Sequence, residues 1–466
     1  MENFGCRATQ ADGAALEQQF QQRGLGRAAM PEQADIVVLN TCTVTAAADQ
    51  DARAAIRRIH RRNPECQIVV TGCYAQRAPE EIAALPGVSR VVGNSHKHQL
   101  ADIAVPDLPL RPRDLVPLSA LTESRELSTE TSVIVSDIFA HTELLAAPVF
   151  DSANERTRPN LKVQDGCDNR CSFCIIPYVR GHSRSLPLDQ VVDDVRNLVT
   201  AGYREVVISG INLGRWGRDL VVSRRSSIVS QHSLGQRPTT KDQRLSFIYL
   251  VRALLRETDL EKLRISSVEP MDWSDELIEL VATSPRIAKH AHVPMQSGSD
   301  RILRKMHRKY RPWHYREKIL KIHQAMPAAA IGADVMVGFP GETEADFAET
   351  RRMVEELPFT YLHVFTYSSR PGTPAAAMRN QVPVQVARER NRILREIAAQ
   401  KKLTFMRSFV GHRIPVITLN VFDGDRTEAL TDNYLKLRLS GKHDPNQWIS
   451  VQVQAVASGS LIGTAV

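Results

Sequence analysis

Three cysteines lie within eight residues near the middle of the chain, and they constrain its fold more than any other feature. Cys167, Cys171 and Cys174 have the spacing C-x3-C-x2-C. A four-iron cluster held by thiolates normally takes four cysteine ligands. Three ligands with no fourth nearby leave one iron open to an outside ligand, as in a catalytic metal centre rather than a closed structural one. We therefore interpret the stretch as a reactive iron–sulfur centre.

Two alternative interpretations of these cysteines stay open. Zinc modules usually show paired C-x2-C units or added histidines, and His182 is the only nearby histidine that could serve. Inert thiols are the second alternative. A disulfide framework is excluded, because it is typical of small secreted domains, whereas this chain has seven cysteines in 466 residues.

Strand and helix patterns alternate from residue 161 to residue 365, and the first of these strands leads into the cysteine loop. The predicted strands are 161–163, 205–209, 262–266, 291–294, 333–337 and 361–365. The predicted helices between and after them are 188–201, 247–257, 274–283, 301–307, 315–325 and 343–356. Six β/α units in a row predict a partial (β/α)6 barrel with its chemistry at the carboxyl ends of the strands.

The amino-terminal part shows the same alternation on a smaller scale. Apolar runs at 36–39, 68–70 and 91–92 predict strands, and 49–62 predicts a helix. This pattern indicates an α/β domain of the flavodoxin-like kind, with a parallel sheet covered by helices on both faces. Ligands of such sheets gather at the carboxyl ends of the strands.

Three further cysteines follow predicted strands of this sheet. Cys42 and Cys73 each come directly after one, and Cys6 would end an opening strand that looks shortened at Met1. The three can converge on one rim as a second cluster site, but separate buried thiols remain an equal alternative. Cys66 lies in a turn before a strand, and we interpret it as a non-ligand.

The remaining segments divide the chain into domains. We predict an amino-terminal domain at 1–104, a linker at 105–152 with a short strand at 133–135, and a barrel domain at 153–402 that ends in a helix at 386–402. Within the barrel domain, 221–244 is polar and aperiodic, which indicates an inserted loop. Short β-like runs at 413–419, 434–439, 449–456 and 461–466 predict a small all-β domain at 403–466 of the barrel or OB-like kind.

Composition restricts the class of protein only weakly. The net charge of +8 permits an anionic partner such as RNA without demanding one. The arginines of the helix at 49–62 and the segment from His307 to His314 could face phosphates, or could be solvated surface. No run has the length of a membrane span and no signal peptide is seen, so a cytoplasmic protein is expected, with no membrane partner.

Polar groups recur where the barrel strands end, and they could bind a small molecule that ligates the open iron. Gly210 would allow a close backbone approach, Glu269 offers a carboxylate, and Gln296 offers an amide. Gly338 lies in a turn that enters a helix. Each of these residues also has an ordinary interpretation as part of a turn or helix cap.

The cysteine loop and its context resemble the radical S-adenosylmethionine family. The stretch from Val163 to Pro177 is similar to the family's signature, and Asn-Thr-Cys at 40–42 with Thr-Gly-Cys at 71–73 is similar to its methylthiotransferase branch. The resemblance covers nearly the whole chain, including a carboxyl-terminal domain like the family's TRAM module. The run Asn-Thr-Cys-Thr-Val-Thr at 40–45 is most similar to the members that act on N6-threonylcarbamoyladenosine in tRNA.

The resemblance implies two 4Fe-4S clusters and S-adenosylmethionine as cofactors. Cys167, Cys171 and Cys174 would hold the cluster that cleaves S-adenosylmethionine to a 5′-deoxyadenosyl radical, which takes hydrogen from carbon 2 of the adenine at tRNA position 37. Cys6, Cys42 and Cys73 would hold the auxiliary cluster that carries the sulfur. The S-adenosylmethionine pocket would include Gly210, Glu269, Gln296 and Gly338.

Other expectations follow from the same resemblance. The partners would be tRNA and an electron donor such as flavodoxin or ferredoxin, while the sulfur donor is left unassigned. Alternatives are methylthiolation of isopentenyladenosine in tRNA or of a ribosomal-protein aspartate, a radical enzyme without sulfur insertion, or a non-catalytic RNA-binding protein with a closed metal site. The short start before Cys6 and the long 221–244 insertion depart from the family's pattern.

Overall fold

The structure is a computed structural model that describes residues 1–105, 131–145, 158–220 and 245–466. The insertion predicted at 221–244 and most of the predicted linker lie outside these ranges. Within them, no helix is both long and apolar enough to cross a membrane.

The amino-terminal part forms a parallel sheet of five strands in the order β1-β2-β3-β4-β5. The strands are β1 (Glu2–Asn3), β2 (Ile36–Thr41), β3 (Gln67–Gly72), β4 (Val88–Gly93) and β5 (Ser132–Ile134). The helices are α1 (Arg7–Gln22), α2 (Ala46–Arg62), α3 (Cys73–Arg77), α4 (Pro79–Ala83) and α5 (Leu100–Ala104). Apolar side chains on opposite faces of β2 and β3 enter two separate core clusters, so helices cover both faces of the sheet.

The central part contains six parallel strands and a short antiparallel edge strand, β7. The strands are β6 (Asn160–Asp165), β7 (Arg184–Ser185), β8 (Glu205–Gly210), β9 (Lys262–Ile265), β10 (His290–His292), β11 (Ala330–Val337) and β12 (Tyr361–Thr366). The helices are α6 (Ile176–Arg180), α7 (Leu188–Thr200), α8 (Phe247–Glu257), α9 (Asp275–Thr283), α10 (Asp300–Lys305), α11 (Pro312–Ala325) and α12 (Glu344–Glu356). Isolated parallel bridges connect the β9 and β10 segments, which completes the predicted partial barrel.

A long helix, α13 (Val384–Arg407), leads into a closed five-stranded barrel at the carboxyl end. Its strands are β13 (Arg413–Asp423), β14 (Arg426–Thr431), β15 (Lys436–Ser440), β16 (Trp448–Ala457) and β17 (Ser460–Ala465). The prediction of a small all-β barrel is confirmed.

The first helix joins the two α/β parts, because α1 packs against β6 and β8 at the open side of the partial barrel. Asp12 of α1 is buried there and forms ion pairs with Lys162 of β6 and Arg180 of α6. The amino-terminal sheet is therefore held against the barrel by buried charges.

Several elements differ from the predictions. The helix predicted at 49–62 begins at Ala46, because the side chain of Thr45 accepts a hydrogen bond from the Ala48 N–H and caps it. The sequence pattern missed β14, and the strand predicted at 434–439 begins only at Lys436. The short strand near 133 pairs with β4 as the fifth strand of the first sheet. The opening strand ends at Asn3, and Cys6 occupies the N-cap position of α1, without a side-chain capping hydrogen bond, instead of ending that strand.

Candidate active site

The C-x3-C-x2-C loop begins where β6 ends and is held in shape by backbone contacts. Gly166 has φ +69°, and a Cβ there would lie 1.9 Å from the carbonyl oxygen of His182, so only glycine fits. The Cys167 N–H donates to Gly181 O at 3.1 Å, and the Cys174 N–H donates to Cys171 O at 3.1 Å. The three cysteines therefore project from one compact loop at a strand end.

Donors surround the sulfur atoms of this loop. The Asn212 Nδ2 amide lies 3.6 Å from Cys167 Sγ, and Arg308 Nη1 lies 3.4 Å from Cys171 Sγ. Burial and the neighbouring Cys171 and Cys167 thiols raise the pKa of Cys174 to about 12. Metal binding releases the proton of such a thiol, and three cysteines on one loop fit the three-cysteine ligand set of an open cluster.

The second trio lies beyond the carboxyl ends of the first three strands. Cys42 directly follows β2, and Cys73 directly follows β3 and begins α3, whereas Cys6 comes after β1 at the start of α1. Gly5 has φ +109°, and a Cβ there would lie 2.9 Å from Cys42 Sγ, so this glycine makes room for the cysteine beside it. Asn94, just after β4, places its Nδ2 3.6 Å from Cys73 Sγ.

The electrostatics of the second trio show that its thiols share one environment. Burial, with smaller contributions from the thiols of Cys73 and Cys6, raises the pKa of Cys42 to about 12, and Arg180 acts in the opposite direction. These residues also fit a three-thiolate ligand set. Within the described ranges, no three His, Cys, Asp or Glu side chains meet closely enough to hold a single metal ion.

Cys66 lies at the other end of the same strands. It precedes β3, is 6% exposed, and packs in the apolar core beneath the sheet. A cavity of about 540 Å³ also lies at that end, lined by the start of β2 and by Glu17 and Phe20 of α1. Neither feature contributes to the cysteine rim.

The short helix α6 adjoins both trios. The segment that follows Cys174 enters α6, and Ile175 and Val179 pack against Cys73 in one apolar cluster. Asn94 Nδ2 donates to the carbonyl oxygen of Val179 at 2.7 Å. The residues that leave the first cysteine loop therefore form a wall of the second cysteine site.

Buried charges fix this helix in place. Arg180 donates to both carboxylate oxygens of Asp165, at 2.9 and 2.8 Å, and to Asp12 at 3.0 Å. Lys97 donates to Asp12 at 2.9 Å, and Lys162 pairs with both aspartates. Although burial opposes ionisation, Lys162, Lys97 and Arg180 lower the pKa of Asp12 to about 2. Three cations against two anions leave a net positive charge beside thiols that become thiolates on binding metal.

The four residues predicted to form the S-adenosylmethionine pocket fall into two pairs with different surroundings. Glu269 forms an ion pair with Arg308, which also contacts Cys171, so its carboxylate lies close to the cysteine loop. Gly210 approaches Gln164, whose Oε1 would lie 2.9 Å from a Cβ at this position. These two residues lie on the rim that carries the cysteines.

Gln296 and Gly338 have backbone roles. Gln296 has φ +62°, and its N–H donates to Asp334 O at 2.8 Å, which bridges it to β11. Gly338 has φ +76°, and a Cβ there would lie 2.6 Å from the Cβ of Ala387 on α13. The glycine at 338 is thus required by packing against that helix.

Sequence reasoning missed the role of Arg308. It placed this residue in a segment that could face phosphates, but Arg308 is 8% exposed and turns inward to Glu269 and Cys171. The reason is a left-handed turn at His307, with φ +56°. Trp313 of the same segment is exposed. In the sequence Arg308 lies between His307 and Lys309, so no local pattern distinguishes it from its basic neighbours.

The run at 40–45, on which the choice of nucleoside rested, uses its polar side chains internally. Asn40 Nδ2 donates to Thr9 O at 2.7 Å, Thr41 Oγ1 donates to Thr71 O at 2.6 Å, and Thr43 Oγ1 donates to Asp49 Oδ1 at 2.6 Å. Val44 is 46% exposed. The run therefore builds the rim around Cys42.

Family models match two parts of the chain. Residues 1–93 match the model described as uncharacterized protein family UPF0004, and residues 161–354 match the Radical SAM superfamily. The first match contains the Cys6, Cys42 and Cys73 trio, and the second contains the C-x3-C-x2-C loop.

Curated relatives match nearly the whole chain. The threonylcarbamoyladenosine tRNA methylthiotransferase of Aquifex aeolicus is 34% identical over 97% of this chain and 99% of its own. The Bacillus subtilis protein of the same name is 35% identical over 95% and 90%. A tRNA-2-methylthio-N(6)-dimethylallyladenosine synthase of Erythrobacter litoralis is 31% identical over 96% and 88%. The chain belongs to the tRNA methylthiotransferase family of radical S-adenosylmethionine enzymes.

Proposed function

We propose that this protein replaces the hydrogen on carbon 2 of N6-threonylcarbamoyladenosine, at tRNA position 37, with a methylthio group. The observation that carries the proposal is that α6 adjoins both cysteine trios, because it follows Cys174 in the chain and its segment packs against Cys73. One trio lies on the C-x3-C-x2-C loop after β6, and the other lies on the rim of the amino-terminal sheet. The relatives named for threonylcarbamoyladenosine support the choice of nucleoside.

Each trio has its own task in this proposal. Cys167, Cys171 and Cys174 hold the radical-generating 4Fe-4S cluster, and Cys6, Cys42 and Cys73 hold the auxiliary one. When bound, the two clusters and S-adenosylmethionine supply the radical that removes hydrogen from carbon 2, the sulfur that takes its place, and the methyl group. Ile175 and Val179 make the contact between the α6 segment and Cys73 apolar.

The pocket for S-adenosylmethionine is proposed to include Gly210, Glu269, Gln296 and Gly338. Glu269 has the strongest support, because Arg308 joins its carboxylate to Cys171. Asn212, whose amide contacts Cys167, belongs to the same rim. Its Oδ1 is buried and has no hydrogen-bond partner among the described residues, which leaves it able to accept a bond from a bound amino group.

The chain also needs an electron source, because reductive cleavage of S-adenosylmethionine consumes an electron. We propose a low-potential one-electron carrier such as flavodoxin or ferredoxin, and a cytoplasmic location where reduced thiols persist. The net charge of +8 suits binding to the phosphates of tRNA.

Nucleoside mass spectrometry of tRNA from cells with and without the gene tests the nucleoside. We expect the methylthio form of threonylcarbamoyladenosine to disappear in the deletion strain and to return with the intact gene. A gene carrying Cys73→Ala should not restore it. Loss of methylthio-isopentenyladenosine, with the threonylcarbamoyl form intact, would overturn the assignment.

Iron and sulfide analysis of anaerobically purified protein tests the number of clusters. About eight irons per chain are expected for two clusters, whereas about four would support a radical enzyme without sulfur insertion.

A further inference from the structure

The strands of the partial barrel enclose a polar lumen. Along β6, Leu161 and Val163 pack in the core under the helices, so Lys162 between them points inward. By the same alternation Arg264 of β9 points inward between Leu263 and Ile265. The histidines of β10, Asp334 of β11, and Tyr361 and His363 of β12 line the same lumen.

These lumen side chains contact one another. His290 Nε2 lies 2.7 Å from the Tyr361 hydroxyl, and His292 Nε2 lies 3.4 Å from Asp334 Oδ1. The ring of His363 lies 5.5 Å from that of His292. His363 is exposed, so the lumen is accessible at this level. Burial and neighbouring cations lower the pKa of His290, so it is neutral near pH 7.

Three cations of the lumen and its rim already have carboxylate partners. Lys162 pairs with Asp12 and Asp165, Arg264 Nε lies 2.6 Å from Glu205, and Arg308 pairs with Glu269. Their charges are used within the protein, and none is available to an incoming anion.

Arg7 is different from these three. It follows Cys6 directly, is exposed, and donates from Nη2 to the hydroxyl of Tyr434 at 3.0 Å. The ring of Tyr434 lies 5.1 Å from His290 and 6.5 Å from Tyr361, which places the guanidinium at the lumen cluster. Across the described parts of the chain, no carboxylate lies within ion-pair distance of Arg7. An unpaired arginine therefore lies between an auxiliary cysteine and the lumen.

The two nucleosides named for the relatives differ in charge. A threonylcarbamoyl group ends in a carboxylate and also carries a hydroxyl and urea N–H groups, whereas a dimethylallyl group is an uncharged hydrocarbon. Guanidinium groups bind carboxylates through paired, charge-assisted hydrogen bonds. Asp334 can accept a bond from a hydroxyl or urea N–H.

We propose that Arg7 is a specificity-determining residue that binds the threonyl carboxylate of the substrate nucleoside beside the lumen cluster. The inference rests on the proposed function and adds the residue that recognises the threonylcarbamoyl group. It assigns selectivity between the two nucleosides to Arg7, which lies outside the run at 40–45.

The test compares two RNA hairpins with the anticodon-loop sequence. One carries N6-threonylcarbamoyladenosine, and the other carries the same nucleoside with its carboxylate converted to the neutral methylamide. The measured quantity is the ratio of kcat/KM for the acid to kcat/KM for the amide. Because both substrates meet the same preparation, the fraction of molecules with intact clusters cancels in this ratio.

For the wild-type protein we expect a ratio of roughly 10 to 100, the value of one charge-assisted hydrogen bond or a pair. Arg7→Gln should bring the ratio close to one, and Arg7→Lys should keep part of it. Arg57→Gln, on the exposed face of α2, is the matched control, because losing a surface cation should affect both hairpins equally.

Three results would contradict the proposal or its basis. A wild-type ratio near one, or a ratio unchanged in Arg7→Gln, would overturn the role of Arg7 while leaving the proposed function intact. A wild-type protein that modifies neither hairpin but modifies an isopentenyladenosine hairpin would overturn the proposed function, and the role of Arg7 with it.

Discussion

The two cysteine trios resemble each other chemically but are built in different ways. Cys167, Cys171 and Cys174 lie on one loop, so a short stretch of sequence brings their thiols together. The other trio comes from three strand ends, and it converges only when β1, β2 and β3 pair in register. The first site therefore depends on local backbone, whereas the second depends on the tertiary structure of a whole domain.

The largest expected effect separates the two trios by task. Cys171→Ala should remove about four of eight irons and abolish formation of 5′-deoxyadenosine, whereas Cys73→Ala should lose the other four and retain that cleavage. Iron analysis and chromatography of the cleavage products measure both. Cys66→Ala is the control and should keep the full iron content, because Cys66 lies in the core at the opposite end of the strands. Equal loss of cleavage in both ligand variants would contradict the division of tasks.

Substitution of Arg180 tests the buried charge network that lies beside both trios. Arg180→Met removes one cation from a buried network and leaves Asp165 without the Nη1 donor that both of its carboxylate oxygens share, so we expect a loss of about 3–5 kcal/mol in unfolding free energy. The auxiliary cluster should become harder to reduce, because a positive charge near its thiols is gone. Urea unfolding and a redox titration followed by electron paramagnetic resonance measure the two effects.

Arg180→Lys is the matched control for that variant, because it keeps the charge and loses only the fork of the guanidinium. Its cluster potential should stay near that of the wild type. If Met and Lys variants shift the potential equally, the charge of Arg180 is not what acts on the cluster.

Gly5 tests the dependence of the second trio on the sheet. Gly5→Ala puts a Cβ against Cys42 at a backbone angle that favours glycine, and it should cost about 1–3 kcal/mol. The loss of iron should be selective. The auxiliary cluster should be lost, whereas the C-x3-C-x2-C loop should keep its cluster. Gly24→Ala is the control, since Gly24 also has a positive φ of +80° but no neighbour within 4 Å. Retention of all iron in Gly5→Ala would contradict this prediction.

The smallest effect concerns one amide at each trio. Asn212 lies 3.6 Å from Cys167 Sγ and Asn94 lies 3.6 Å from Cys73 Sγ. Replacing either by leucine removes a hydrogen bond to sulfur, and the potential of that cluster alone should fall by about 20–60 mV. Redox titration of the two variants measures the shifts. A shift of both potentials by one substitution would show that the centres are electrically coupled.

The sequence predicted what depends on local pattern. The barrel strands, the α/β amino-terminal sheet and the carboxyl-terminal barrel all followed from apolar runs and turns. It missed β14, because Arg426–Thr431 begins with three polar residues and has a single large apolar residue, Leu430. It also missed β7, because two residues, Arg184 and Ser185, are too few to form a pattern.

The features that the sequence did not predict depend on contacts between residues far apart in the chain. Asp12 and Arg180 are 168 residues apart, and neither their spacing nor their neighbours indicate that they meet. Arg7 and Tyr434 are separated by 427 residues. Such pairs arise from the docking of α1 and of the final barrel on the central domain, which the sequence pattern does not encode locally.

The wall formed by α6 has a consequence for how the protein is made. During synthesis the amino-terminal sheet emerges first, with Cys6, Cys42 and Cys73 already in place on its rim. Val179 and Arg180, which close their site, emerge about a hundred residues after Cys73. Until then this side of the cysteine site is uncovered, so we expect stable retention of auxiliary iron only once residue 180 has left the ribosome. The order of the domains along the chain therefore determines when the auxiliary cluster can be inserted.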